Sequence, residues 1–192
     1  MRVREHLWVA IICASTLLMA SCLLPGMIPM DSKPEVPLPV MEENADKVIE
    51  VLQSRDWHSL AALAEEKYTE KDFAQPGTLT YTVKVTPEDL PVYFSYGWCA
   101  ADEETLRQNF EHIKIGLSIN GEMLKEDVVH SLRFTSPDNM LCVDFGALIT
   151  EWAAGDYTLE AVATFDEKIN DGVSDFDAGD YAFLYNVEVS EQ

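Results

Sequence analysis

The sequence predicts a mainly β protein: an antiparallel β-sandwich of about seven strands, preceded by a short two-helix unit. Three observations predict it. Downstream of Pro76-Gly77 the apolar residues change from helical spacing to strict alternation. The alternating runs are separated by turn residues, at the intervals typical of sandwiches. Upstream, two stripes of apolar residues recur at i, i+3, i+4 and i+7. The 192 residues are 47% hydrophobic and 24% charged, enough apolar material for a core. The net charge of −21 repels phosphate backbones and argues against a nucleic-acid partner.

Residues 1–21 read as a secretory leader. Met1-Arg2-Val3-Arg4 is a short basic start, Leu7 to Met19 is apolar, and Ala20-Ser21 are small. The basic end stays at the cytoplasmic face while the apolar core enters the bilayer. Met19-Ala20-Ser21-Cys22 resembles the bacterial lipobox, in which a Leu-like residue and two small residues precede an obligatory Cys. The resemblance implies that Cys22 carries a diacylated thiol, that the chain is cut before it, and that the new terminus is acylated. Met19 departs from the commoner Leu. Cys13 does not fit, because Ile12 stands where a small residue is needed. At about 0.8 kcal/mol per buried methylene, one acyl chain holds marginally and two or three hold firmly. Two other readings stay open: an uncleaved anchor helix over Leu7 to Leu24, just long enough to span, and a plain secretory signal. The lipid reading places the body on the extracytoplasmic face of the cell membrane or outer membrane.

Residues 22–41 form the lipidated Cys and a tether. Five of the nine prolines (Pro25, Pro29, Pro34, Pro37 and Pro39) fall here. Such density favours extended backbone, and at about 3.1 Å per residue the reach is on the order of 45 Å. Residues 42–75 form the helical unit. Ala45, Val48, Ile49 and Leu52 line a helix from Glu42 to about Arg55, with Glu42 and Glu43 at its positive end. Trp57, Leu60, Ala61, Ala64 and Tyr68 line a second, from about Trp57 to Tyr68, with Asp56 as N-cap.

Residues 76–192 form the sandwich. Alternation predicts strands over 79–85, 92–98 and 113–119, the last ending at the hairpin dipeptide Asn120-Gly121. Further strands are predicted over 128–135, 140–145, 157–165 and 181–189, with Ser136-Pro137-Asp138-Asn139 as a turn. Alternation implies one buried and one wet face per strand, hence antiparallel pairing. Ala154-Gly155-Asp156-Tyr157 and Ala178-Gly179-Asp180-Tyr181 both open strands. Each Gly-x-Tyr resembles the tyrosine corner of immunoglobulin-like sandwiches, which implies a phenol bonded to upstream backbone. The antibody-type Cys…Trp…Cys order is absent, since Trp98 directly precedes Cys99. A rival α+β fold is open as well: a helical start with Asp-Trp-x-x-Leu is similar to NTF2-like cones, and 102–112 would supply their further helix.

An extracytoplasmic address is oxidising. With Cys13 in the leader and Cys22 under lipid, Cys99 and Cys142 have one possible pairing. The bond would close 44 residues, a stabilisation of about 4 kcal/mol in the chain-entropy model; the alternative is two buried free thiols. Cys99 is out of phase with the 92–98 face, which a bulge near Gly97 would resolve.

Enzyme signatures are missing: no Gly-rich phosphate loop, no Gly-x-Ser-x-Gly and no His-Glu-x-x-His. No catalytic residue is assigned. His58, His112 and His130 lack metal-ligand spacing and read as satisfied or surface residues. Residues 138–192 hold thirteen acidic side chains against Lys168, a local charge of −12. Asp166, Asp171, Asp175 and Asp177 offer oxygens for Ca²⁺, without the EF-hand order; the alternative is a solvated acidic loop. Tyr93, Tyr96, Trp98, Trp152, Tyr157, Tyr181 and Tyr185 could form a carbohydrate-stacking platform. Most lie on apolar strand phases and read as core, with Tyr93 the one expected to be exposed and to bind. The leading expectation is a non-catalytic binding or structural module of the cell envelope. Its partners would be the membrane, through the lipid, and an unidentified envelope protein or glycan. A small-molecule or carbohydrate receptor and an envelope enzyme without a recognisable motif are the alternatives.

Overall fold

The computed structural model describes residues 36–69 and 71–191. The leader, Cys13, Cys22 and the tether up to residue 35 lie outside these residues. The elements run β1 (Val40–Met41), α1 (Ala45–Ser54), β2 (His58–Ser59), α2 (Leu60–Leu63), β3 (Gly77–Val85), β4 (Val92–Ala100), α3 (Glu103–Asn109), β5 (Ile113–Ile119), β6 (Glu122–Met123), β7 (His130–Thr135), β8 (Leu141–Glu151), β9 (Gly155–Phe165), β10 (Ile169–Asn170), β11 (Asp175–Phe176) and β12 (Gly179–Val189). Every strand that the alternation predicts is present, most of them a few residues longer.

Two sheets pack face to face. One has the order β1-β8-β4-β2, with β7 also on β8; the other is β3-β12-β9-β5-β6. The core lies between them, where Phe94, Tyr96 and Trp98 of β4 meet Leu159, Phe165, Tyr181 and Tyr185 of the opposite sheet. The two-layer sandwich therefore forms and the NTF2-like cone does not. The helix expected only for the cone is present as α3, capped by the Asp102 carboxylate on Thr105 N–H at 2.9 Å. It serves as the connection between the sheets, from β4 to β5.

Pairing departs from the all-antiparallel expectation in two places. β3 runs parallel to β12 over nine residue pairs, and β2 runs parallel to β4. Alternation reports which face is buried and carries no information on strand direction, which the connections set. The Asn120-Gly121 turn has positive φ at both residues (54° and 80°), as the tight hairpin requires. Both tyrosine corners form: the Tyr157 hydroxyl donates to Ala153 O at 2.9 Å, and that of Tyr181 to Asp177 O at 3.1 Å.

The disulfide Cys99–Cys142 is present. No bulge is needed, because β4 pairs with β8 in unbroken register from Val92↔Ile149 to Ala100↔Leu141. Cys99 faces away from the core, and Cys142 lies directly opposite on the same face. The bond thus joins neighbouring strands within one sheet, unlike the inter-sheet bond of antibody domains.

The helical unit differs most from expectation. α1 forms, with the Asn44 side chain accepting from Asp46 N–H and Lys47 N–H. Its buried side is Val48 with Val51 and Leu52, while Ile49 is 40% exposed. It lies on the outer face of the β4–β8 sheet as a third layer. The helix expected over 57–68 is reduced to the four residues of α2, and Asp56 caps nothing there. Edge pairing outcompetes helix propensity in this stretch: His58 and Ser59 pair with β4, and Ala64 bridges to Val83 of β3. The described residues form one compact unit, tether end and helical segment included. No helix among the described residues is long and apolar enough to cross a membrane.

Candidate functional site

The site lies in the seam where the edge of β4 faces the edge of β3. Near β2 the seam is filled by Leu60 (1% exposed) and Ala64, both part of the core. Further along, no described residue pairs with this edge of β4 until the Asp171 carbonyl meets Ala101. The direction of its backbone groups follows from two bonds. His58 N–H donates to Pro91 O at 3.1 Å, and Ala101 N–H donates to Asp171 O at 2.7 Å. Backbone groups alternate between the two edges of a strand, so the odd-numbered residues between these anchors face the seam. The Cys99–Cys142 Cα separation of 4.0 Å agrees, being the close spacing of a pair that shares no backbone bonds. The amides and carbonyls of Ser95, Gly97 and Cys99 therefore point into the seam, with no partner among the described residues.

Along the same stretch the even-numbered side chains Tyr96 and Trp98 border a cavity of about 200 Å³. Phe73, Phe176, Tyr181 and Phe183 complete its aromatic lining, with Asp72 and Gln75 at hand. The rings are interlocked. Tyr96 stacks on Phe183 at 5.1 Å, and Trp98 meets the edges of Phe165 and Phe176 at 5.1 and 4.9 Å. Offset and edge-on pairs of this kind each add about 0.5–1.5 kcal/mol beyond burial. The Trp98 indole N–H is buried without a hydrogen-bond partner among the described residues, a costly state for a polar group. Burial pushes the Tyr96 phenol above its ordinary value, so it stays neutral.

Two loops frame the cavity. In the first, Thr69 donates from both its N–H and its hydroxyl to Asp72 Oδ2, at 2.7 and 2.8 Å. These bonds hold the Asp72 carboxyl below its usual range, so it is an anion at neutral pH. Asp72 Oδ1 has no hydrogen-bond partner among the described residues. The second is the acidic β10–β11 hairpin, which carries Phe176 between Asp175 and Asp177. A wider, more open depression of about 870 Å³ lies elsewhere, where Pro37 and Leu38 approach Trp152.

The acidic residues considered for Ca²⁺ go to separate partners. Asp166 accepts from His112 Nδ1 at 2.9 Å. Asp171 Oδ1 accepts the amides of Val173 and Ser174. Asp175 binds Lys168 Nζ at 3.0 Å and the Asn170 amide at 2.8 Å. Asp177 supplies its backbone carbonyl to Tyr181. Among the described residues, no group of three or more His, Cys, Asp or Glu gathers at metal-binding distance. The histidines are satisfied: His58 Nδ1 lies 2.9 Å from Asp89 O, and His130 Nε2 lies 3.1 Å from Glu42 O.

Tyr93 is a correction. It is 3% exposed rather than open to solvent, packed with Val48 and Leu148 and edge-on to Trp57 at 5.7 Å. The reason is α1, which covers the face that alternation marks as wet. Of the aromatic residues singled out in the sequence, Tyr96, Trp98 and Tyr181 do meet at the cavity while also serving the core. Phe73, Phe176 and Phe183 escaped sequence reasoning. The available signal was Phe176, a lone aromatic inside an acidic loop. No protein-family model and no curated protein matches this chain.

Proposed function

We propose that this chain is a lipid-anchored, extracytoplasmic lipoprotein whose sandwich is a non-catalytic binding module of the cell envelope. The seam cavity carries the binding half of this reading. It joins six aromatic rings, one ionised carboxylate and an unpaired backbone edge, a mixture suited to holding a ligand by contact and a few directed bonds. The lipobox-like Met19-Ala20-Ser21-Cys22 carries the anchor half. A second reading, a small-molecule or carbohydrate receptor, uses the same cavity and is favoured by its ring content.

Inhibition of lipoprotein signal peptidase should leave a slower-migrating precursor, and Cys22→Ser should abolish palmitate incorporation. An unchanged migration and label would remove the anchor. For the cavity, the full chain in detergent is titrated with N-acetylglucosamine oligomers and with cationic peptides. Saturable binding to one of them, weakened at least tenfold by Phe176→Ala with the fold intact by near-UV dichroism, is the expected result. No saturable binding, or binding indifferent to Phe176→Ala, would remove the cavity as the site.

A further inference from the structure

We infer that the open stretch of β4 is a strand-addition site for an extended, positively charged polypeptide segment of a partner protein, with one of its side chains entering the aromatic cavity. The inference rests on the binding-module reading and adds the class of ligand.

An unpaired strand edge is a template for another chain. Here the template is bounded. β2 already pairs with Val92 and Tyr93, and the Asp171 carbonyl already takes the Ala101 amide. Between them lie the donors and acceptors of Ser95, Gly97 and Cys99, in phase and unbroken by a bulge. The window suits about five residues of extended chain. β2 demonstrates that this edge accepts a parallel strand.

Side chains of an added strand alternate between the two sheet faces, so every second one would fall on the inner side, against Tyr96 and Trp98. That side holds the cavity. Its rings suit an aliphatic stem ending in a cation, since ammonium and guanidinium groups are attracted to aromatic faces.

Charge selects the partner. Asp72 is ionised, with Oδ1 free of hydrogen bonds among the described residues. Phe176 sits between two aspartates, and residues 166–180 hold six acidic side chains against Lys168. A second copy of this chain, itself at −21, would be repelled, whereas a basic segment would be drawn in.

The test is residue-resolved amide exchange by NMR on the full chain in detergent. The probe is a pool of capped nonapeptides with Lys or Arg at alternate positions and all residues elsewhere. Matched pools carry Glu in place of the cations, or N-methyl groups on every amide. In the free chain, Ser95, Gly97 and Cys99 should exchange at least tenfold faster than Tyr96 and Trp98. The cationic pool should slow those three amides at least tenfold and the Glu pool should not. The N-methylated pool should bind at least tenfold more weakly, and Asp72→Asn should weaken the cationic pool several-fold. The inference is overturned by protection of the three amides in the free chain, or by protection that grows with protein concentration alone. Failure of the cationic pool to protect them, or N-methylated peptides binding equally well, overturns it too. If N-acetylglucosamine oligomers shift the Phe176 resonances while the cationic pool does nothing, this inference fails and the binding-module reading stands. If neither ligand acts, both fall.

Discussion

β3 and β4 face each other across one seam and are finished in opposite ways. The free edge of β3 is covered. Ala64 bridges to Val83, Glu65 N–H donates to Thr82 O at 2.9 Å, and the Tyr68 hydroxyl donates to Thr80 O at 2.6 Å. Glu66 completes the cover by accepting the Thr82 amide at 2.6 Å and the Thr82 hydroxyl at 2.8 Å. β4 is closed at its two ends on this side and, among the described residues, left open between. Exposed edges invite unwanted pairing, and natural sheets blunt or cover them. This chain covers one edge with three consecutive residues, Ala64 to Glu66, plus Tyr68, so it has the means to cover the other. The open window of β4 is therefore a feature that needs a use, and the aromatic cavity beside it supplies one.

The largest effect is expected at β4, which over Ser95–Cys99 is held from one side only among the described residues. Reducing Cys99–Cys142 removes its covalent brace. The bond spans a sequence separation of 43, so the chain-entropy model predicts a loss of about 4 kcal/mol and a fall in Tm on the order of 10 °C. Paired urea melts with and without reductant measure it. A change below about 1 kcal/mol would mean that β4 is secured elsewhere. The second largest effect belongs to the closed end of the seam. Leu60→Ala opens a void where α2 plugs the gap between the sheets, and a cost of about 3 kcal/mol is expected. Its exchange signature matters as much: the His58 amide, bonded to Pro91 O, and the Tyr93 amide facing β2 should lose protection before those of β9. Third, Tyr68→Phe removes one bond from the β3 cover. About 1 kcal/mol is expected, read from urea midpoints, with the rest of the cover at Ala64, Glu65 and Glu66 left in place.

Much of this contrast was invisible in the sequence, and the reasons are physical. Alternation locates strands and their buried faces well, because burying one side of a pleated strand forces a period of two. It gave β3, β4, β5, β9 and β12 with nearly correct bounds. It is silent on neighbours. Nothing local to 77–85 indicates that β3 lies parallel to β12, and nothing local to 57–68 indicates that an amphipathic stripe will unwind to pair with two strand edges. Cys99 illustrates the same limit: it is out of phase with the core face of β4, and its partner Cys142 lies beside it on the outer face, so no bulge is required. Tyr93 fails for a related reason, since α1 adds a layer that a one-face-wet reading omits. Local chemistry transferred best. Each Gly-x-Tyr closed its corner, and Asn120-Gly121 turned as its positive φ values demand. The cavity was half legible: Tyr96, Trp98 and Tyr181 were singled out as aromatic, but only folding brings Phe73 and Phe176 to them.

The finest test uses two carboxylates that the two strands treat in opposite ways. Glu66, on the β3 cover, is held below its ordinary value chiefly by the Thr82 amide, then by the Thr82 hydroxyl. Its stabilisation is present above the usual carboxylate range and is lost as the pH falls through the lowered value. Asp144 sits on the outer face of β8, its Oδ1 near enough to Gly97 that a Cβ there would lie 3.1 Å away. Desolvation raises its pKa, a Ser95 hydrogen bond only partly opposing this. A raised value means that its favourable contribution is full below the ordinary aspartate pKa and is lost as the pH rises through the raised one. Asp144→Asn should therefore stabilise the protein near pH 7 and do nothing below about pH 3, while Glu66→Gln should destabilise it near pH 7 and matter progressively less in acid. Urea midpoints of both variants across that range give the answer, with shifts expected to be smaller than that of Tyr68→Phe. Two variants moving stability in the same direction at neutral pH would erase the distinction between a carboxylate used to close an edge and one merely tolerated behind an open one.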